Sequence, residues 1–162
     1  MFKFVTKKRM VTKIFSPLNG LVLDITDVKD QVFANKMMGD GIAIIPENSE
    51  VYAPIDGRIL AFDNMYHAVG ISSGDGIELI VHFGLDTVKY KDKGLKLLVE
   101  NGQMIKKGEK IMEVDLDFFI GENVDISTPV LITNPVNFEV INKCPSGKRV
   151  RIGEVLFEVK KR

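Results

Sequence analysis

The run YHAVGISSGDGIELIVHFGLDTV, residues 66–88, holds both histidines of a chain of 162 residues. It reads as two β-strands, 66–72 and 77–83, joined by a turn rich in glycine and aspartate. If Gly74-Asp75 forms a two-residue turn, His67 lies opposite His82. If Asp75-Gly76 forms it, His82 faces Val69 and His67 becomes the diagonal neighbour. Both registers put the two rings on one sheet face, with Cβ atoms roughly 5 to 8 Å apart. A loop of odd length would part them across the sheet. The flanking residues favour the even registers. Leu79, Val81 and Phe83 share a face fit for a core, whereas Glu78, Ile80 and His82 share one that full burial would deny to a carboxylate. Paired imidazoles on a half-exposed face suit metal binding with further ligands, acid–base catalysis or nucleophilic capture of a phosphoryl group. Spacing does not choose among these.

The chain around this hairpin is built from short β-rich runs, at 21–25, 42–45, 58–62, 110–114, 130–133 and 155–159. Gly, Pro, Asn and Asp punctuate them, which predicts a sandwich or barrel and not a βαβ fold. Helical signals are brief. One covers 95–100 between Gly94 and Gly102, and a shorter turn lies at 32–37. Two internal echoes stand out. The run GQMIKKGEKIMEV (102–114) lines up with GKRVRIGEVLFEV (147–159), and PLNGLVL (17–23) lines up with PIDGRIL (54–60). Each pairs a glycine turn with a strand and carries no group suited to catalysis. The predicted fold class is therefore all-β: one antiparallel sandwich of barrel-like shape with partly duplicated halves and one or two short helical turns. The domain is placed at 14–162, after a basic, flexible tail at 1–13.

Lys and Arg number 22, as do Asp and Glu, so the formal net charge is zero and a nucleic-acid partner is not indicated. One cysteine, Cys144, excludes an intramolecular disulfide and a cysteine-based zinc cluster. Apolar runs fall well short of the ~20 residues that cross a bilayer. These features predict a cytoplasmic protein, associated with membrane at most peripherally through its basic tail.

A series of motifs narrows the chemistry. The runs DVKDQVF (27–33), KMMGDGIAI (36–44), APIDG (53–57), HAVGI (67–71) and VHFGLDTV (81–88), taken in order, closely resemble the glucose-type IIA component of the bacterial phosphoenolpyruvate-dependent sugar phosphotransferase system. The resemblance implies an antiparallel β-sandwich with a shallow active surface, and it implies phosphotransferase activity through a phosphohistidine. His82 matches the phosphoacceptor, loaded on Nε2 by phospho-HPr and discharged to a cysteine of a sugar-specific EIIB domain. His67 matches the second histidine, which steadies the phosphoryl group for onward transfer. Val32, Phe33, Met38, Ile80 and Val88 match an apolar docking rim, and Asp30 and Asp86 match acidic positions that meet the basic rim of HPr. No cofactor is implied and no metal is required, although His67 and His82 could serve as incidental zinc ligands. Three positions depart from the family. Met65 replaces a threonine that supports the second histidine, Asp63 stands where an aromatic residue is common, and Val136 replaces an acidic residue. The start at Met1 predicts a free-standing subunit. Two other readings compete: a regulatory binding module, and a zinc hydrolase drawing its ligands from His67, His82 and Asp86. Neither the sugar nor the cognate permease is legible.

Overall fold

The structure is a computed structural model that describes residues 11–61 and 66–162. Fourteen strands run in chain order among these residues: β1 (Val11–Phe15), β2 (Gly20–Asp24), β3 (Asp40–Pro46), β4 (Glu50–Tyr52), β5 (Gly57–Leu60), β6 (Ala68–Ser72), β7 (Glu78–His82), β8 (Leu95–Leu97), β9 (Met104–Ile105), β10 (Lys110–Val114), β11 (Thr128–Ile132), β12 (Phe138–Ile141), β13 (Arg149–Val150) and β14 (Val155–Lys161). They form an eight-stranded sheet, ordered β13-β2-β3-β11-β7-β6-β5-β9, and two three-stranded sheets, β1-β14-β12 and β4-β10-β8. Every pairing is antiparallel. The all-β sandwich that the sequence predicts is the fold observed.

The duplication is visible bond by bond. Gly108 donates its N–H to the Ala53 carbonyl (2.9 Å), as Gly153 does to Ser16 (3.2 Å). The Lys106 N–H meets Glu109 Oε1 at 3.2 Å, as the Arg151 N–H meets Glu154 Oε1 at 3.1 Å. Asp56 Oδ1 accepts from the Lys107 N–H (2.7 Å) where Asn19 Oδ1 accepts from the Ile152 N–H (2.8 Å). The strand glycines are dictated by close approach, because a Cβ on Gly20 would lie 2.1 Å from the Ile45 carbonyl oxygen and one on Gly57 would lie 2.4 Å from that of Ser72. The order of the large sheet is accordingly quasi-symmetric about the junction of β7 and β11.

The main core fills the space between the sheets with fully buried Ile14, Ile44, Ile71, Leu79, Phe83 and Phe157. A smaller cluster occupies the other face of the large sheet. Ala43, Ala68, Ile80 and Leu131 are covered there by Ile25, Val28, Phe33 and Leu85. Apart from Leu85, the cover comes from a 3-10 turn (Ile25–Asp27) with the residues after it and from the one-turn helix α1 (Gln31–Ala34). Each starts on an aspartate: Asp24 caps the Thr26 N–H, and Asp30 caps the Val32 N–H at 2.9 Å. The turn predicted at 32–37 is thus present as α1.

Several expectations change. Residues 95–100 are not helical, since β8 pairs with β10 through Leu95↔Val114, Lys96↔Glu113 and Leu97↔Met112. Non-local pairing overrides the weak helical preference of Leu-Lys-Leu-Leu. The tail boundary also moves. Val11, Thr12 and Lys13 belong to β1 and pair with Lys160, Val159 and Glu158, while residues 1–10 lie outside the described residues. Helix α2 (Leu116–Gly121), absent from the sequence reading, is capped by Asp115, which accepts from the Phe118 N–H at 3.0 Å.

The register of the site hairpin is odd. Ala68 pairs with His82, Val69 with Val81 and Ser72 with Glu78. Ser73 donates to the Ile77 carbonyl (2.8 Å), leaving a three-residue loop, Gly74-Asp75-Gly76. Gly76 takes φ +92°, a conformation open to glycine, so the loop closes with a positive-φ residue and neither two-residue turn forms.

Candidate functional site

Two strand ends bring the imidazoles together. His82 is the last residue of β7, and His67 sits at a bend just before β6. Strict alternation in the odd register would place His67 on the side of Phe83, whose N–H donates to the His67 carbonyl at 2.7 Å. The bend frees His67 from that rule. Its ring packs against His82 edge-on, with centroids 4.6 Å apart and planes at 68°. The juxtaposition expected of the pair is therefore present, by a route other than a shared strand face.

His82 is fixed from three sides. Its Nδ1 lies 2.7 Å from the Gly84 carbonyl oxygen. A carbonyl only accepts, so Nδ1 carries the proton and Nε2 keeps its lone pair. Phe33 of α1 packs edge-on against the ring, at 5.0 Å and 62°. His67 closes the remaining flank.

Burial holds the His82 pKa below the ordinary histidine value, against the opposing pull of the Gly84 carbonyl and, more weakly, of the Asp30 carboxylate. Burial, and then the neighbouring His82, push His67 down to about 4. Both rings are neutral near pH 7, which leaves Nε2 of His82 nucleophilic.

The predicted rim divides. Val32, Met38 and Val88 are exposed, at 42%, 38% and 55%. Phe33 and Ile80 are buried, at 4% and 8%, because they join the small cluster with Ala68 and Leu131. They form the floor of the site and not its rim. His67 is also almost covered, at 8%, so only His82 of the pair is half-open to solvent. Asp30 is half-buried and spends one oxygen on capping α1. Asp86 is exposed at the start of a second 3-10 turn (Thr87–Tyr90), where its side chain makes no capping bond. Val136 is 84% exposed. Asp63 and Met65 lie outside the described residues.

The tautomer of His82 depends on a carbonyl acceptor that the motif series does not name. Gly84 supplies it, at φ +71° with a prospective Cβ 2.3 Å from Thr87 Cγ2. The signal was the glycine two residues beyond His82. Met37, 74% exposed beside Met38, adds apolar surface that the motif comparison passed over. Among the described residues, no three His, Cys, Asp or Glu side chains are grouped to hold a metal ion, so the ligand set of the hydrolase reading is not assembled.

Residues 12–138 match the profile of the family described as phosphoenolpyruvate-dependent sugar phosphotransferase system, EIIA 1. The chain belongs to this family. It is 44% identical over 132 residues to the PTS system glucose-specific EIIA component of Buchnera aphidicola, covering 82% of each protein. It is 45% identical over 148 residues to the PTS system glucoside-specific EIICBA component of Staphylococcus carnosus, covering 90% of this chain and 21% of that one. The chain thus spans about a fifth of the length of that staphylococcal protein. Among solved structures, glucose permease IIA from Mycoplasma capricolum superposes with a TM-score of 0.84 at 30% identity, over 98% of this chain and 99% of the other. Membership of the EIIA 1 family accounts for the motif series at 27–88 and for the sandwich. No helix among the described residues is long and apolar enough to cross a membrane.

Proposed function

We propose that the protein is a phosphoryl carrier in sugar uptake, with His82 as phosphoacceptor, phospho-HPr as donor and the cysteine of an EIIB domain as acceptor. The observation that carries this reading is the Nδ1 contact to Gly84, which leaves Nε2 unprotonated at a half-open surface beside a second neutral imidazole.

The Nε2 lone pair attacks the phosphorus of the donor's phosphohistidine. The new N–P bond forms as the donor's N–P bond breaks, its electron pair returning to the donor ring. His82 keeps its Nδ1 proton and becomes cationic, with that charge facing the Gly84 carbonyl. In the second half-reaction a thiolate attacks the same phosphorus, and the electron pair returns to Nε2. A ring that keeps its Nδ1 proton throughout is a good leaving group, as a carrier requires.

His67, neutral because it is buried, donates one N–H to the phosphoryl oxygens and steadies them without a fixed ion pair that would trap the load. Exposed Val32, Met37, Met38 and Val88 supply apolar docking surface, and Asp30 and Asp86 supply negative charge toward the donor. A cytoplasmic location follows from this chemistry, since donor and acceptor domain must both reach His82. The naming of the Buchnera and Mycoplasma relatives favours a glucose-class permease as the destination.

The test is incubation with phosphoenolpyruvate, enzyme I and HPr, read by intact mass. Wild type gains one phosphoryl group and His82→Ala gains none. His67→Ala is charged yet does not pass its load to EIIB. A wild type that stays uncharged refutes the carrier reading, and normal transfer by His67→Ala refutes the role of His67.

A further inference from the structure

We infer that Thr128 is a positioning residue for His82, acting through the Gly84 backbone; the inference rests on the carrier reading and extends it. Thr128 opens β11, the strand beside β7, in a run Thr-Pro-Val-Leu-Ile that is buried throughout. Its hydroxyl is the one side-chain polar group of that strand. The hydroxyl donates to the Ile126 carbonyl at 2.9 Å and accepts from the Gly84 N–H at 3.3 Å. One proton and one lone pair are thus committed in the only arrangement that the two partners allow.

The two peptides around Gly84 are held in the same manner. The Phe83 carbonyl accepts from the Thr87 hydroxyl, and the Leu85 N–H donates to the Asp125 carbonyl at 3.0 Å. Asp125 is itself drawn in by the Ser127 N–H on its Oδ1, at 2.9 Å. The remaining polar group of this stretch is the Gly84 carbonyl, and it points at His82 Nδ1. Gly84 stands at φ +71° and has no side chain to hold it there, so its peptide planes keep their orientation through these outside bonds. Thr128 is the member of the set that binds Gly84 itself.

If the hydroxyl is lost, the Gly84 N–H has no acceptor, the 83–84 peptide is held at the Phe83 carbonyl alone, and the neighbouring Gly84 carbonyl keeps its aim at Nδ1 less firmly. The tautomer is then selected less sharply, and part of the His82 population carries its proton on Nε2, where attack must occur. Packing alone does not ask for threonine, since valine has the same shape.

The test compares Thr128→Val with Thr128→Ser on the full chain. Nitrogen chemical shifts of the His82 ring report the tautomer without any phosphotransfer, and the rate of charging by phospho-HPr is measured beside them. Thr128→Val should show a mixed tautomer and charge about tenfold more slowly, the effect of one lost hydrogen bond. Thr128→Ser should restore both readouts while melting lower than wild type, for want of the methyl group. A folded Thr128→Val with the wild-type tautomer and rate overturns the inference. So does a slow or mixed-tautomer Thr128→Ser, and this second arm decides the matter if the valine variant does not fold. Failure of the wild type itself to accept phosphate would strike the carrier reading and leave the tautomer measurement standing.

Discussion

The two halves of the large sheet share a frame and differ at the site. Leu21 pairs with Ile45 in one half where Arg58 pairs with Ser72 in the other. Stepping five residues back along the inner strands makes Asp40 the counterpart of His67. Across the next pairing, Gly41↔Leu131 corresponds to Ala68↔His82, so Leu131 is the counterpart of His82. In the half without histidines the carboxylate of Asp40 is neutralised by Lys143 at 2.8 Å and Lys36 at 3.5 Å, and Leu131 is sealed at 0% exposure. The frame is thus the same in both halves, and what differs is which half leaves its strand end uncovered.

The largest effect that tests this contrast is a swap. Leu131→His would bury an imidazole with no partner and should cost about 3 kcal/mol in chemical denaturation, whereas His82→Leu should stay within about 1 kcal/mol while losing all charging. Comparable costs would show that the halves are equally packed. Glycines should divide the same way. Gly84→Ala meets Thr87 as well as the penalty of positive φ, and should lose about 3 kcal/mol together with phosphate acceptance. Gly102→Ala, at φ +85° with nothing within 4 Å, should lose about 1 kcal/mol and charge normally.

A pH series sharpens the contrast from the reactive side. His67 titrates near 6.5 when unfolded and at about 4 when folded, so the unfolded chain binds more protons between those values. Its contribution to stability is complete above pH 6.5 and is lost as pH falls toward 4. Melting temperature measured from pH 7.5 to 4.5 should fall more steeply for wild type than for His67→Gln. Parallel curves would mean that the ring is not desolvated. The smallest effects belong to the frame. Asn19→Ala, at a half-buried site, should cost about 1 kcal/mol, and Asp56→Ala, at an exposed one, about 0.5. A reversed order would break the equivalence of the two turns.

These contrasts also explain what was legible beforehand. The echoes were readable because a positive-φ glycine and a close strand approach leave fixed letters: Gly102, Gly108, Gly147 and Gly153 sit at φ +85° to +89°. The histidine pair was readable from its motifs. The hairpin register was not, because two glycines around Asp75 permit loops of two or three residues, and the choice falls to sheet packing. Nor were the burial of Phe33, Ile80 and His67, since each is covered by segments distant in sequence, and local pattern carries no record of that. Leu95–Leu97 was misread for the same reason, and α2 was missed although Asp115 followed by apolar Leu116 and Phe119 was a fair start signal.

The pairing of β1 with β14 has a temporal consequence. Val11–Phe15 is synthesised before every other strand of this sandwich, yet its hydrogen-bonding partners lie at 155–160. A nascent chain must keep that edge unsatisfied until nearly all of this domain has been synthesised, so closure of the sandwich is a late event and an interrupted translation product is left with an open, adhesive border.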